Sequence, residues 1–282
     1  YYIDTTYEKK ELNDANEAFQ KEEYERFLTT ALKYLELTNQ KLEYLIKSEQ
    51  VESKELSKDV FDLILKISIA YEFVGKKEES AHYMNYYIQA GPTLDTRTYY
   101  FIGESFRKMK KFQEAIEQYL NCVNLQVDEY HVQAYESMGD CYFKLEDFEN
   151  SAKYYSQAPR TSYNLYNVGK SYFWMSNYSK AIEYSNLSIE LDASYKWAYQ
   201  ERGKSYVQLG EYSLAVKDFT KVIELDASYI WAYLNRGYSY GHLGEYSLAV
   251  KDFTKVIELD ASYIGAYQFR GESYAHLGEH SL

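Results

Sequence analysis

Small and aromatic residues along this chain recur on two periods at once. Within residues 196–209, Ala198, Tyr199, Gly203, Ser205, Tyr206 and Leu209 fall on one face of a helix, the spacing of a packed amphipathic segment. The same rhythm returns every 34 residues. Gly203, Gly169, Gly139 and Gly103 mark units that start near 196, 162, 132 and 96, and a weaker unit near 61 holds Ser68 in the glycine slot. A period of this length predicts a stacked helix–turn–helix array. The predicted units are 61–95, 96–131, 132–161, 162–195, 196–229, 230–263 and an incomplete one at 264–282. Pro159 stands where the second helix of the short unit 132–161 should still be running, and proline there removes a backbone donor. A truncated helix is expected at that point. Ahead of the units, Ala15, Phe19, Tyr24, Phe27, Ala31 and Tyr34 keep helical spacing, and an apolar stretch passes through Leu42, Tyr44, Leu45 and Ile46. Residues 8–60 therefore read as a divergent helical pair capping the array, with a polar connector at 49–58 and a flexible lead at 1–7.

Residues 196–229 and 230–263 are one unit written twice, and their differences are confined to one face. Lys196, Gln200, Glu201, Lys204, Val207 and Gln208 become Ile230, Leu234, Asn235, Tyr238, Gly241 and His242, while the other 28 positions are identical. On a helix those six positions and the one following the first span a sector of about 140°. In the copy from Ile264, Trp231, Leu234, Asn235, Tyr238 and Gly241 become Gly265, Gln268, Phe269, Glu272 and Ala275. Packing is held constant while one exposed face changes and collects large rings, which is the pattern of a binding surface.

The copy at 230–263 carries Tyr233, Gly237, Tyr240, Gly244, Tyr246, Ala249 and Phe253 and ends on Glu258, Leu259 and Asp260. In this spacing the chain resembles the tetratricopeptide repeat family over about residues 61–282. The resemblance implies an all-α, right-handed superhelical solenoid of stacked antiparallel helix pairs. The family's proline near the end of each unit survives only as Pro92; Ala193, Ala227 and Ala261 replace it later, so those turns are expected to be less sharply set. Arg202, Arg236 and Arg270 occupy a slot usually aliphatic in the family. Each is expected to reach an acid on its own second helix, such as Asp218 or Asp252, because an unpaired buried charge costs several kcal/mol.

The chain has 282 residues and a formal net charge of −12, and no basic cluster follows the repeat, so nucleic acid is not an expected partner. Cys122 and Cys141 fall in core slots and read as buried structural thiols, which fits a reducing, cytoplasmic setting. Gly169-Lys170-Ser171 and Gly203-Lys204-Ser205 lack the upstream glycine and the preceding strand of a phosphate loop. His242 and His276 share a slot in adjacent units, but stacked helices lie near 10 Å apart and a metal needs bonds of about 2.1 Å. No catalytic set converges on one face, so neither enzyme activity, cofactor nor metal is expected. No apolar run reaches a membrane-spanning length. The absence of an initiator Met and the stop at Leu282 inside a second helix suggest a piece of something longer, with an end face able to self-associate.

The family resemblance implies that the first helix of each unit lines a concave groove. Tyr163, Tyr166, Asn167, Lys170, Phe173 and Trp174 fall in its ligand-facing slots in one unit, Trp197, Gln200, Glu201 and Lys204 in the next, and Trp231, Leu234, Asn235, Tyr238 and His242 in the third. The asparagines are expected to bond the backbone of a bound peptide, and the lysines to meet a carboxylate. Relatives that hold chaperone C-termini pair lysine with asparagine where this chain has Tyr166 with Lys170 and Gln200 with Lys204, so that ligand is not expected. The expected function is a non-catalytic scaffold binding a peptide or protein segment. The alternative is a regulatory or substrate-recruiting region of a larger enzyme or sensor.

Overall fold

A computed structural model describes residues 5–38, 58–90, 95–125 and 129–278. All regular structure among them is helical: α1 Thr5–Gln20, α2 Tyr24–Thr38, α3 Lys58–Phe73, α4 Lys77–Ala90, α5 Thr96–Lys108, α6 Phe112–Val123, α7 Glu129–Lys144, α8 Phe148–Gln157, α9 Ser162–Trp174, α10 Tyr178–Leu191, α11 Lys196–Gln208, α12 Tyr212–Leu225, α13 Ile230–His242, α14 Tyr246–Leu259 and α15 Ile264–His276. Within each of the chain's compact units consecutive helices pair and neighbouring pairs stack, so the fold is all-α and built of helix hairpins. The chain divides into two compact units, residues 1–134 and 135–282. Helix α1 begins inside the stretch expected to be a flexible lead. The apolar run at 42–46, the connector through residue 57 and Pro92 lie outside the described residues.

In the first unit Phe27, Leu35, Leu63, Ile64, Ile67 and Tyr83 form a core that seals the first two hairpins. The second unit repeats one core in series. Ala198, Ala232 and Ala266 are fully buried, as are Ala215 with Phe219 and Ala249 with Val256. The glycine slot explains how close the two helices come. A methyl group on Gly203 would lie 2.8 Å from Cε1 of the buried Phe219 ring, and one on Gly237 2.9 Å from Phe253. Both cysteines are buried.

Turns follow from local chemistry. Asp95, Asp147, Thr161 and Asn177 cap helix N-termini by accepting from the backbone N–H three residues on. Left-handed residues close the turn inside each hairpin: Gly210, Gly244 and Gly278 at φ 77°, but Glu146 at 60° and Ser176 at 59° in earlier hairpins. Helix α8 runs ten residues where α10, α12 and α14 run fourteen, and stops at Gln157, ahead of Pro159. The turns between the last units are not loosely set. Asp192, Asp226 and Asp260 each accept from the backbone N–H and the hydroxyl of the serine two residues on, at 2.6–3.0 Å. This aspartate turn does the work expected of proline.

Candidate functional site

The first helices of the second unit, α9, α11 and α13, lie side by side and carry the variable face. Trp197 stands at the start of α11 and meets Tyr229 edge-on, with ring centroids 5.4 Å apart. Trp231 repeats the contact with Tyr263 at 5.8 Å. The tyrosine that closes each unit thus braces the tryptophan that opens it. Even so, Trp197 stays 37% exposed and Trp231 48%. Trp174 stacks on Phe148 at 5.8 Å and is 54% exposed; Tyr163 and Tyr238 are also open to solvent.

Beneath these rings lies a ladder of cations over aromatic faces. Lys170 Nζ sits 4.3 Å from the Phe143 ring centroid and Lys204 Nζ 4.2 Å from that of Phe173, so the lysine of each unit covers a ring of the unit before. Lys204 also pairs with the buried Glu201 at 3.1 Å. Burial pushes the Glu201 carboxyl above its ordinary range, against the pull of Lys204 and Lys170. Burial pushes Lys170 down, with Glu201 pulling the other way. Burial, with Glu201 behind it, raises Tyr166.

Several sequence expectations are corrected by this arrangement. Asn167, Gln200, Glu201 and Leu234 were assigned to the exposed face but are 3–9% exposed. A first helix in an array has a third neighbour, the next first helix, and its flank is covered by that stacking. The asparagines do not wait for a ligand backbone: Asn167 Nδ2 donates to the Tyr163 carbonyl at 3.0 Å and Asn235 Nδ2 to that of Trp231 at 2.7 Å. Nor is Lys204 unpaired. Leu209, expected in the core, is 48% exposed at the α11 C-cap. The remaining sequence candidates, Tyr163, Lys170, Phe173, Trp174, Trp197, Trp231, Tyr238 and His242, keep some surface, as does Tyr166.

A cavity of about 500 Å³ in the first unit was not signalled by the repeats. Phe19, Phe61, Leu65 and Ile69 supply its apolar lining, and its charged lining is mixed, with Lys66, Arg97 and Lys108 among Asp62, Asp95 and Glu104. Its walls come from three hairpins whose sequences share no close copy, so no internal comparison marks them. Among the described residues no group of three or more His, Cys, Asp or Glu could hold a metal ion, and no helix is long and apolar enough to cross a membrane.

Models of the tetratricopeptide repeat match residues 96–126 and 132–158, and 230–263, and a model described as TPR repeat matches 203–244. No curated protein matches the sequence. Among solved structures, the C-terminal part of a TPR repeat-containing protein from Cytophaga hutchinsonii aligns with a TM-score of 0.65 at 16% identity, covering 92% of this chain and 98% of that one. The MamA protein aligns at 0.55 and 24% identity over 61% of this chain and 97% of its own. YrrB, described as a TPR protein with an unusual peptide-binding site, aligns at 0.53 and 19% identity over 62% and 91%. These are likenesses of fold. The repeat-model matches, taken with the helix hairpins and their 34-residue period, identify the chain as a tetratricopeptide repeat protein.

Proposed function

We propose that the second unit is a non-catalytic interaction scaffold that captures a protein segment across α9, α11 and α13. The supporting observation is the row of exposed tryptophans, Trp174, Trp197 and Trp231, each held by a neighbouring ring while the polar groups beneath are tied into the framework. Large rings kept rigid and half in water lose little conformational entropy on binding and contribute large contact area, which is why they anchor interfaces. The framework polar groups then act indirectly, by fixing the ring positions. A chain of the same fold, YrrB, is described as having a peptide-binding site, which accords with this reading.

Affinity capture from a native extract tests it, comparing the chain with a Trp174→Ala, Trp197→Ala, Trp231→Ala variant of equal helicity. Partners that are lost with the rings support the groove. Partners retained unchanged without the rings contradict it.

A further inference from the structure

The copies of the unit differ where their first helices approach each other. Lys204, Tyr238 and Glu272 share one position, Val207, Gly241 and Ala275 the next variable one, and Gln208, His242 and His276 the one after. Between α13 and α15 these changes leave a cavity of about 320 Å³. Tyr238, His242, Tyr246, Phe269, Glu272 and His276 wall it, and Phe253, only 3% exposed, closes its base. Gly241 opens onto this space: a methyl group there would meet nothing within 4 Å, and the preceding copy carries the larger Val207 at this position.

The walls are rings held by other rings. His276 stacks on Tyr246 at 4.5 Å with planes 7° apart, and His242 stacks on Tyr212 at 4.4 Å and 4°. Tyr238 meets His242 at 4.5 Å. Among the residues lining the cavity there is one carboxylate, Glu272, and neither lysine nor arginine. Glu272 accepts from Gln268 at 3.0 Å, which steadies it at the rim.

Aromatic rings attract cations through the negative charge of their faces, and a carboxylate alongside adds direct attraction. An apolar occupant would desolvate Glu272 without compensation, and an anion would be repelled by it. The volume is at the lower end of the roughly 300–1,000 Å³ typical of ligand sites, suited to one long side chain rather than a whole cofactor. We infer that this cavity takes the cationic side chain of a lysine or arginine from the protein segment held in the groove. The inference rests on the groove reading above and adds an orientation. Lysines line the stack at α9 and α11, whereas an acid stands at α15, so the ligand's basic residue lies toward α15.

The test uses the whole 282-residue chain with blocked single amino acids, N-acetyl-arginine methylamide and N-acetyl-lysine methylamide, and the uncharged norleucine analogue as control. Binding is read from the ring resonances of His242 and His276. Saturable shifts with both cations and none with norleucine are expected. The Gly241→Val variant, restoring the residue that the preceding copy tolerates, is expected to abolish the shifts, and Glu272→Gln to weaken binding about fivefold. Equal shifts with norleucine, or an unaltered response in Gly241→Val, overturn the inference. Partner capture that depends on the tryptophans without any cation response overturns the cation cavity alone. A cation response with capture indifferent to the tryptophans overturns the groove reading and leaves the cavity standing.

Discussion

Arg202 on α11 grips Asp218 on α12 through two bonds, Nε to Oδ2 at 2.9 Å and Nη2 to Oδ1 at 2.6 Å, and so ties the two helices of one hairpin together from inside. Arg236 repeats the fork with Asp252 at 2.8 Å for both bonds. The same guanidinium reaches back to the previous hairpin, Arg202 to Asn186 and Arg236 to Thr220. Arg270 makes that backward bond to Thr254, at 3.4 Å. One side chain thereby joins a hairpin to itself and to its predecessor.

Burial holds the Asp252 carboxyl above its ordinary range even with the guanidinium on it, so the pair is retained at a desolvation cost. Arg236→Met strands Asp252 and is expected to lower stability by about 3 kcal/mol in urea unfolding. Replacing both partners, Arg236→Met with Asp252→Leu, is expected to return to within about 1 kcal/mol of the parent, because no buried charge is left alone. A single variant as stable as the parent would refute the structural role.

The glycine slot offers a paired comparison. At Gly203 an added methyl collides with the immobile Phe219 ring, whereas at Gly271 nothing lies within 4 Å. Gly203→Ala is expected to cost about 2 kcal/mol by overpacking. Gly271→Ala is expected to stabilise by about 0.5–1 kcal/mol through helix propensity. Thermal unfolding of the two single variants distinguishes these signs.

Ser176 holds φ at 59° in the turn between α9 and α10, where later hairpins have glycine. Ser176→Gly relieves the side-chain clash of left-handed backbone and is expected to gain about 1 kcal/mol. No gain in the urea midpoint would show that the turn is not strained.

Asp226 carries an acid-sensitive contact. The bond from Lys196 at 2.6 Å, with those from Ser228, lowers its carboxyl from an ordinary 3.8 to about 2. A lowered folded value means the contribution is present above pH about 4 and is lost as pH falls through about 2. Asp260 sits at the same place in the next unit, where Ile230 replaces the lysine, and serves as the control. Carboxyl-carbon titration is expected to place Asp226 below Asp260. Coincident titration of the two would remove Lys196 from the account.

Much of the framework is legible in the sequence because the repeats control for one another. Gly203, Gly237 and the buried alanines follow from asking which positions do not change, and both Arg–Asp pairs from asking what an arginine in a core slot must reach. The same comparison misplaces Gln200, Glu201 and Leu234, and the family's groove slots misplace Asn167, because variation and slot position show where a residue is free to change, not which neighbour covers it. Helix stacking covers that flank, and the next first helix is a neighbour that a single helical wheel does not contain. Pro159 announced its short helix, but the aspartate turns replaced the missing prolines by side-chain bonds invisible to a family pattern. The cavity under Phe19, Phe61 and Arg97 needed the third dimension, since those residues belong to three hairpins without a shared template.

The most direct test of the groove is hydrogen–deuterium exchange of the chain with and without the partner recovered by tryptophan-dependent capture. Slowed exchange in the first helices α9, α11, α13 and α15, with the second helices α10, α12 and α14 unchanged, is the predicted footprint. Protection of α10, α12 and α14 with the first helices unaffected would place the partner on the opposite face and contradict the account.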